Sequence, residues 1–247
     1  MSNMVSIIVT TLNEECYIRP CLKALKNQTY TNKEIILVDS ESQDKTVEIA
    51  KKYADKIIIK NCIMPAGRNL GVKVAHGNLL LFVDADVVLL PNWIDTVLPY
   101  LKEHKVVAAY GDLLPNEAKL KAWFAYAKEE LSNLFLRKTR MTCYGKIGTA
   151  VIIKRNAFEK VGGFNEDYAS CEDVNLSFKL RKCGKIKFVR DAKGYVSMRR
   201  FERVGYLQLS LLWWWMGSTY IMTGRAPFKK YSRDFPSCNS LVIHALE

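Results

Sequence analysis

Carboxylates and guanidinium groups placed just after short apolar runs carry the chemical signal of this sequence. The run Leu79-Leu80-Leu81-Phe82-Val83 ends in Asp84-Ala85-Asp86, where two carboxylates one residue apart repel each other and raise the pKa of at least one. A cation is expected there. A hard divalent ion, Mg2+ or Mn2+, bound through oxygen and shared with a diphosphate, would satisfy both. The alternative is a strand-end pair that caps the next helix or pairs with lysines. Asp39 follows Glu34-Ile35-Ile36-Leu37-Val38 and can accept hydrogen bonds from a base or ribose. It could also cap a helix starting near Lys45, although Asp44 is better placed for that. Arg68, inside Ala66-Gly67-Arg68-Asn69-Leu70-Gly71, offers a planar permanent charge to a base, a phosphate or a surface carboxylate. Glu172-Asp173 opens a helical pattern running through Leu176 and Leu180 to Gly184. Acids in a first helical turn are favoured by the dipole. The functional alternative is a general base, one carboxylate whose pKa is lifted by its like-charged neighbour so that it can deprotonate an acceptor hydroxyl.

The elements that would position these groups are legible as β-branched apolar runs: Val5–Thr10, Glu34–Val38, Ile57–Ile59, Leu79–Val83, Val106–Ala109, Ile147–Ile153 and Ile186–Val189. Between the first two, Ile18, Leu22 and Leu25 fall at helical spacing behind Glu14 and Glu15, acids that suit a helix N-terminus. Strand, helix, strand in that order predicts an α/β fold with a mainly parallel sheet flanked by helices and joined by right-handed crossovers. In such a sheet ligands bind outside the carboxyl ends of the strands, where Thr10-Thr11-Leu12-Asn13-Glu14, Asp39-Ser40-Glu41-Ser42 and Asp84-Ala85-Asp86 all lie. Leu120, Trp123, Phe124, Ala127, Leu131, Leu134 and Phe135 trace one face of a long amphipathic helix expected from Glu117 to Lys138. No internal repeat or low-complexity linker interrupts the chain.

At 247 residues and 49% apolar composition the chain can bury a sizeable core. A formal charge of +12 suits polyanionic partners: nucleic acid, anionic headgroups or phosphorylated substrates. Seven cysteines without a CxxC pair or zinc spacing argue for reduced thiols. The start of the sequence enters an apolar run without the pattern of a secretory signal, so a cytoplasmic location is expected.

In their order, these stretches resemble the inverting glycosyltransferase family 2, whose catalytic domain has the fold called GT-A. The resemblance runs over about residues 4 to 204: Ser6 to Glu14, Ile36 to Thr46, Ala66 to Gly71, Asp84-Ala85-Asp86, Val161-Gly162-Gly163-Phe164 and Glu172-Asp173. It implies a catalytic domain over 1–204, a UDP- or GDP-sugar donor, and a nucleotide pocket shaped by Thr11, Asn13, Asp39 and Arg68. It further implies Asp84 and Asp86 as holders of Mn2+ or Mg2+ against the diphosphate, Asp84 also bordering the nucleotide, and Asp173 as catalytic base supported by Glu172. Many relatives place a histidine after the last core strand as a further metal ligand, where this chain reads Tyr195-Val196-Ser197-Met198-Arg199-Arg200-Phe201. Either fewer protein ligands hold the metal, or Arg199 and Arg200 bind the diphosphate directly; a solvated or lipid-facing basic patch is the alternative for the pair.

Competing classes are weighed by the same residues. A nicotinamide dehydrogenase requires a GxGxxG turn after the first strand, and Thr10 to Glu14 contains no glycine. A nucleotidyltransferase lacks its glycine-rich triphosphate loop there. A non-catalytic basic protein that grips nucleic acid or membrane on this fold would not need Asp39, Asp84, Asp86 and Asp173, and no nucleic-acid partner is expected. The segment 205–247 reads as a helical appendage: Gly205–Gly224 is uncharged and contains Trp213-Trp214-Trp215, and from Val196 to Phe235 seven basic residues stand against two acidic ones. A peripheral helix in the cytoplasmic membrane interface is the expectation, with a domain-packing pair and a true span as alternatives. Such an anchor would bring the site to a lipid-linked or glycan acceptor.

Overall fold

The computed structural model describes residues 3–117, 119–124, 126–127, 149–168 and 170–226. The later half of the expected 117–138 helix, the start of the 147–153 run and the chain beyond 226 lie outside them. Residues 120–124 are helical.

One eight-stranded sheet organises the described residues. β1 (Val5–Thr11), β2 (Lys33–Asp39), β3 (Lys56–Ile59) and β4 (Leu79–Asp84) stand in the order β3-β2-β1-β4, all parallel. The sheet continues through β7 (Ala150–Lys154), β6 (Val106–Pro115), β8 (Lys185–Val196) and β5 (Val87–Leu89). β7 runs against β4 and β6, β8 is parallel to β6, and β5 runs against β8. The mainly parallel sheet expected from the strand and helix order is therefore what forms.

Strand periodicity sorts the core onto two faces. On β1, Val5, Ile7 and Val9 join α1 (Ile18–Lys26) and α4 (Trp93–Leu101) on one side, while Ile8 points to the other. There α3 (Met64–Val74), α5 (Arg155–Lys160) and α6 (Glu172–Arg181) supply Val72, Phe158, Leu176 and Leu180. β4 alternates in the same way, Leu79, Leu81 and Val83 against Leu80 and Phe82. Between β2 and β3, α2 (Thr46–Ala50) is short; its N-cap position is Lys45, and Asp44, one residue earlier, accepts from Thr46 N–H at 2.9 Å. Parallel register levels the functional ends: Thr11 stands opposite Asp39, and Thr10 opposite Asp84.

Three expectations need correction. Glu14 and Glu15 are not in the first turn of α1, which begins at Ile18; Glu14 turns to Arg199, and Glu15 accepts from Lys45 N–H. β6 and β8 run six and seven residues past the apolar cores Val106–Ala109 and Ile186–Val189 that mark them. The second half of β6 is interrupted by Gly111, Asp112 and Pro115, that of β8 carries Arg190, Asp191 and Lys193, and a register shift separates Gly111↔Val189 from Asp112↔Lys193. At Gly111 a Cβ would stand 2.1 Å from Ala192 O and 2.4 Å from Trp93 Nε1, so only glycine lets the two backbones meet. Lastly, Cys21, Cys62, Cys171 and Cys183 are free thiols but Cys16 is disulfide-bonded; a pairing made by the fold leaves no spacing signature in the chain.

After β8 come α7 (Arg199–Val204) and α8 (Tyr206–Thr223). α8 packs through Leu209 against Met198 and Phe201, and through Met216 and Tyr220 against Cys171 and Val174. Among the described residues no helix is long and apolar enough to cross a membrane.

Candidate functional site

The carboxyl ends of β1 and β2 form a hydrogen-bonded cradle. Thr11 Oγ1 donates to Asp39 Oδ2 at 2.8 Å, Ser42 N–H to Asp39 Oδ1 at 2.7 Å, and Ser42 Oγ to Oδ2 at 2.6 Å. Asn13 closes the other side: its N–H donates to Ser42 Oγ, and its Oδ1 accepts from Gln43 N–H, both at 2.8 Å. Asp39 is 0% exposed, so its carboxylate shapes the turn after β2, and direct contact with a base would require that turn to open. Among the described residues, the three non-glycine residues with positive φ are Asn13, Glu41 and Cys171. Two border this cradle and the third starts α6, the clustering expected where a fold holds strained backbone for a site.

At the end of β4 the expected cations are arginines. Arg68, on α3 and only 2% exposed, donates from Nη2 to Asp84 Oδ1 at 2.8 Å and from Nη1 to Glu172 Oε1 at 3.4 Å. Its guanidinium lies over the Phe164 ring at 5.1 Å. Asn69 holds that ring in place by exchanging two hydrogen bonds with the Phe164 backbone, at 2.9 and 3.0 Å. Gly163, at φ 65°, precedes it, and a Cβ there would meet Asn69 Oδ1 at 2.8 Å. Arg199, at the start of α7, donates to Glu14 Oε1 at 2.6 Å, stands 3.2 Å from Asp86 Oδ2, and stacks over Tyr17 at 4.2 Å. Burial pushes the Glu14 carboxyl up, against the pull of Arg199.

The start of α6 differs. Asp173 is pushed up to about 6, first by burial and then by the charge of Glu172, with Val174 N–H and Arg68 pulling the other way. Its Oδ1 accepts from Val174 N–H at 2.8 Å. Burial and the two acids also raise the Cys171 thiol, to about 12, so this cysteine is no thiolate nucleophile near neutral pH. One turn further on, Asn175 Nδ2 donates to Tyr220 OH of α8 at 2.7 Å.

A cleft of about 110 Å³ opens beside these groups, lined by Asp84, Asp86, Thr149, Ser197, Arg200 and Trp213 among others. Arg68 and Arg199 are shared by four carboxylates, Glu14, Asp84, Asp86 and Glu172. The described ion pairs use one oxygen each of Asp84 and Asp86. No group of three or more His, Cys, Asp or Glu among the described residues could hold a metal alone. Two carboxylates completed by substrate phosphates is nevertheless a fitting environment for Mg2+ or Mn2+, and the pair fits such an ion.

The fold thus gathers Arg68, Asp84, Asp86, Glu172, Asp173, Arg199 and Arg200 on one side, and Thr11, Asn13 and Asp39 in the adjoining cradle. Sequence reasoning missed Tyr17, Ser42, Phe164 and Trp213 as site components, and gave Glu14 another job. It also missed Asp112, a buried acid whose two oxygens accept from Tyr126 OH at 3.0 and 2.9 Å. A carboxylate inside an apolar run was the available signal for Asp112; aromatic partners of arginines have none.

Solved proteins share this architecture. A mannosyltransferase from Pyrobaculum calidifontis, determined with GDP-Man and Mn2+, aligns at TM-score 0.67 and 20% identity, over 92% of this chain and 66% of that one. S. aureus TarS 1-349, determined with UDP-GlcNAc, aligns at 0.63 and 20%, over 79% and 59%. The fold is the GT-A type. In sequence, an uncharacterised glycosyltransferase of Haemophilus influenzae is 32% identical over 217 residues, 81% of this chain and 84% of the relative. Residues 6–162 match Glycosyl transferase family 2, and the chain belongs to that family. Other curated relatives are longer: the chain spans 61% of one and 29% of another.

Proposed function

We propose that the chain is an inverting glycosyltransferase that moves a sugar from a UDP- or GDP-sugar to a hydroxyl or lipid-phosphate acceptor. The observation that carries this reading is Arg68, whose one guanidinium reaches both Asp84 and Glu172. It ties an acidic pair suited to a diphosphate and its cation to a second acidic pair with a carboxyl poised near neutrality. Complexes of the two related folds with GDP-Man and UDP-GlcNAc support a nucleoside diphosphate donor, and both bases remain open for this chain.

Asp173, ionised above its pKa of about 6, takes the proton of the acceptor oxygen as that oxygen bonds to the anomeric carbon. The bond from that carbon to the diphosphate breaks on the opposite side, which inverts the centre. Glu172 keeps Asp173 basic. Thr11, Asn13 and Asp39 shape the wall of the nucleoside pocket, Asp39 from beneath the turn after β2, and Arg199 and Arg200 face the departing phosphates. Asp84 and Asp86 would hold Mg2+ or Mn2+, which when bound stabilises negative charge on the leaving group. The acceptor is lipid-linked or a glycan, and the basic 196–235 stretch favours work at the cytoplasmic face of a membrane. Residues 1–204 would form the catalytic domain and 205–247 the appendage.

Nucleotide release from several UDP- and GDP-sugars, with Mg2+ or Mn2+ and with or without polyprenyl phosphate, tests the reading. Release from one donor type that rises with acceptor is expected. No release from any donor, with nucleic-acid binding that survives loss of all four aspartates 39, 84, 86 and 173, would replace it with a non-catalytic binder.

A further inference from the structure

α8 is apolar on both sides, and among the described residues only one side is covered. Leu209, Met216 and Tyr220 face the domain. Leu207, Leu211, Trp214, Ile221 and Met222 recur at helical spacing on the opposite side, with Leu207 68%, Trp214 71% and Met222 85% exposed. A water-facing helix is expected to put polar residues there, and a patch of this kind marks an interaction surface.

We infer that this outer face docks flat onto an anionic lipid surface. Charge selects that occupant. Exposed Arg203 and Arg225 bracket the helix, and no charged residue lies between them. A second copy laid along the stripe would bring these arginines against each other in either orientation, on a chain already carrying +12. Anionic headgroups instead offset the basic charge of this segment while the apolar side chains enter the acyl boundary. Eighteen residues give a helix about 27 Å long, lying in the surface plane.

The docked helix also reaches the site. Trp213 lines the cleft with Asp84 and Asp86, and Tyr220 holds Asn175 on the helix that begins with Glu172 and Asp173. An acceptor carried in the membrane would therefore meet the cleft without leaving the surface. This last point rests on the transferase reading above; the docking itself does not.

Flotation of the full chain with phosphatidylcholine vesicles, with and without phosphatidylglycerol, tests the inference. Partitioning onto the anionic vesicles is expected, with a blue shift of tryptophan emission, and it should weaken at high salt. Leu211→Glu/Trp214→Glu should lower the partition coefficient by on the order of ten-fold or more. Arg225→Glu should lower it several-fold, on anionic vesicles alone. Should the double variant fold poorly by circular dichroism, Ile221→Gln/Met222→Gln carries the same comparison. Equal partitioning of wild type and variants, or no partitioning at all, overturns the inference. So does a concentration-dependent dimer that the double variant abolishes without any vesicle binding. Nucleotide release is measured beside flotation: turnover without vesicle binding removes the docking alone, and vesicle binding without turnover leaves the docking and removes the transferase.

Discussion

At the end of β4, Asp84 and Asp86 each have a guanidinium within 3.2 Å; at the start of α6 only Glu172 reaches one, at 3.4 Å, and no described ion pair reaches Asp173. Both pairs are acidic and both lie at the carboxyl edge of the sheet. The contrast shows how neighbouring elements can keep two kinds of carboxylate, linked here through Arg68. The carboxylates proposed to face a cation and a diphosphate are held by arginines fixed on α3 and α7. Asp173, the proposed base, is left beside a like charge in a poorly solvated place, which raises its proton affinity.

The sharpest way to break the contrast is Asp173→Asn. Transfer should fall by about 10²–10⁴-fold while donor affinity is kept, measured as transfer rate beside nucleotide-sugar Kd. The same change should stabilise the fold. A carboxyl whose folded pKa is raised contributes stability that is complete below its unfolded pKa of about 3.9 and is lost as pH rises through the folded value. Asparagine carries no such loss, so the Tm of the variant should exceed wild type above pH 6, with the gap closing near pH ~4. Equal Tm values at both pH values would deny the strained environment.

On the other side, Asp84→Asn or Asp86→Asn should lower turnover by about 10²–10³-fold, as expected when leaving-group stabilisation is lost. Calorimetric titration with nucleoside diphosphate should show binding that no longer responds to Mn2+. Unchanged metal response would move the ion elsewhere. Arg68→Met tests the link between the two pairs: it leaves two mostly buried carboxylates without their shared cation, a change worth about 3–5 kcal/mol of stability by denaturant titration. Because Arg68 pulls the Asp173 pKa down, the acidic limb of kcat/KM should move to higher pH in any Arg68→Met protein that remains folded.

Wild-type kcat/KM should fall as pH drops through about 6. In Glu172→Gln that limb should shift to lower pH, since a neighbouring charge that raises the Asp173 pKa is gone. A limb that stays in place would assign the titration to another group. The smallest effect is expected at Tyr220→Phe, which strips the Asn175 amide of its acceptor and should cost about 1 kcal/mol of stability, with little change in the pH profile.

Much of the scaffold was legible because its signals are local. The runs from Val5, Glu34 and Leu79 stand where β1, β2 and β4 form, and Asp44 accepts from Thr46 N–H at the start of α2. β5 and the second halves of β6 and β8 were missed because a three-residue strand, or one interrupted by glycine, proline or charge, carries no alternation that stands apart from loop. Glu14 illustrates the limit at the site. Its position before a helical pattern suggested a dipole role, and only a partner 185 residues away reveals the other.

By itself the sequence determined which chemistry could be present: acids and arginines of stated type, in an order that resembles one family, at the ends of runs that must become strands. Alternation and register depend on neighbours a few residues apart, so they are written in the chain. Tertiary structure alone decided which acid each arginine serves, that Arg68 joins groups 16 and 104 residues away, and that Asp39 turns inward. It also decided that Asp173 is the carboxyl held near neutrality and that α8 keeps one apolar side in water. These properties follow from desolvation and long-range proximity, which exist only once distant segments have packed together.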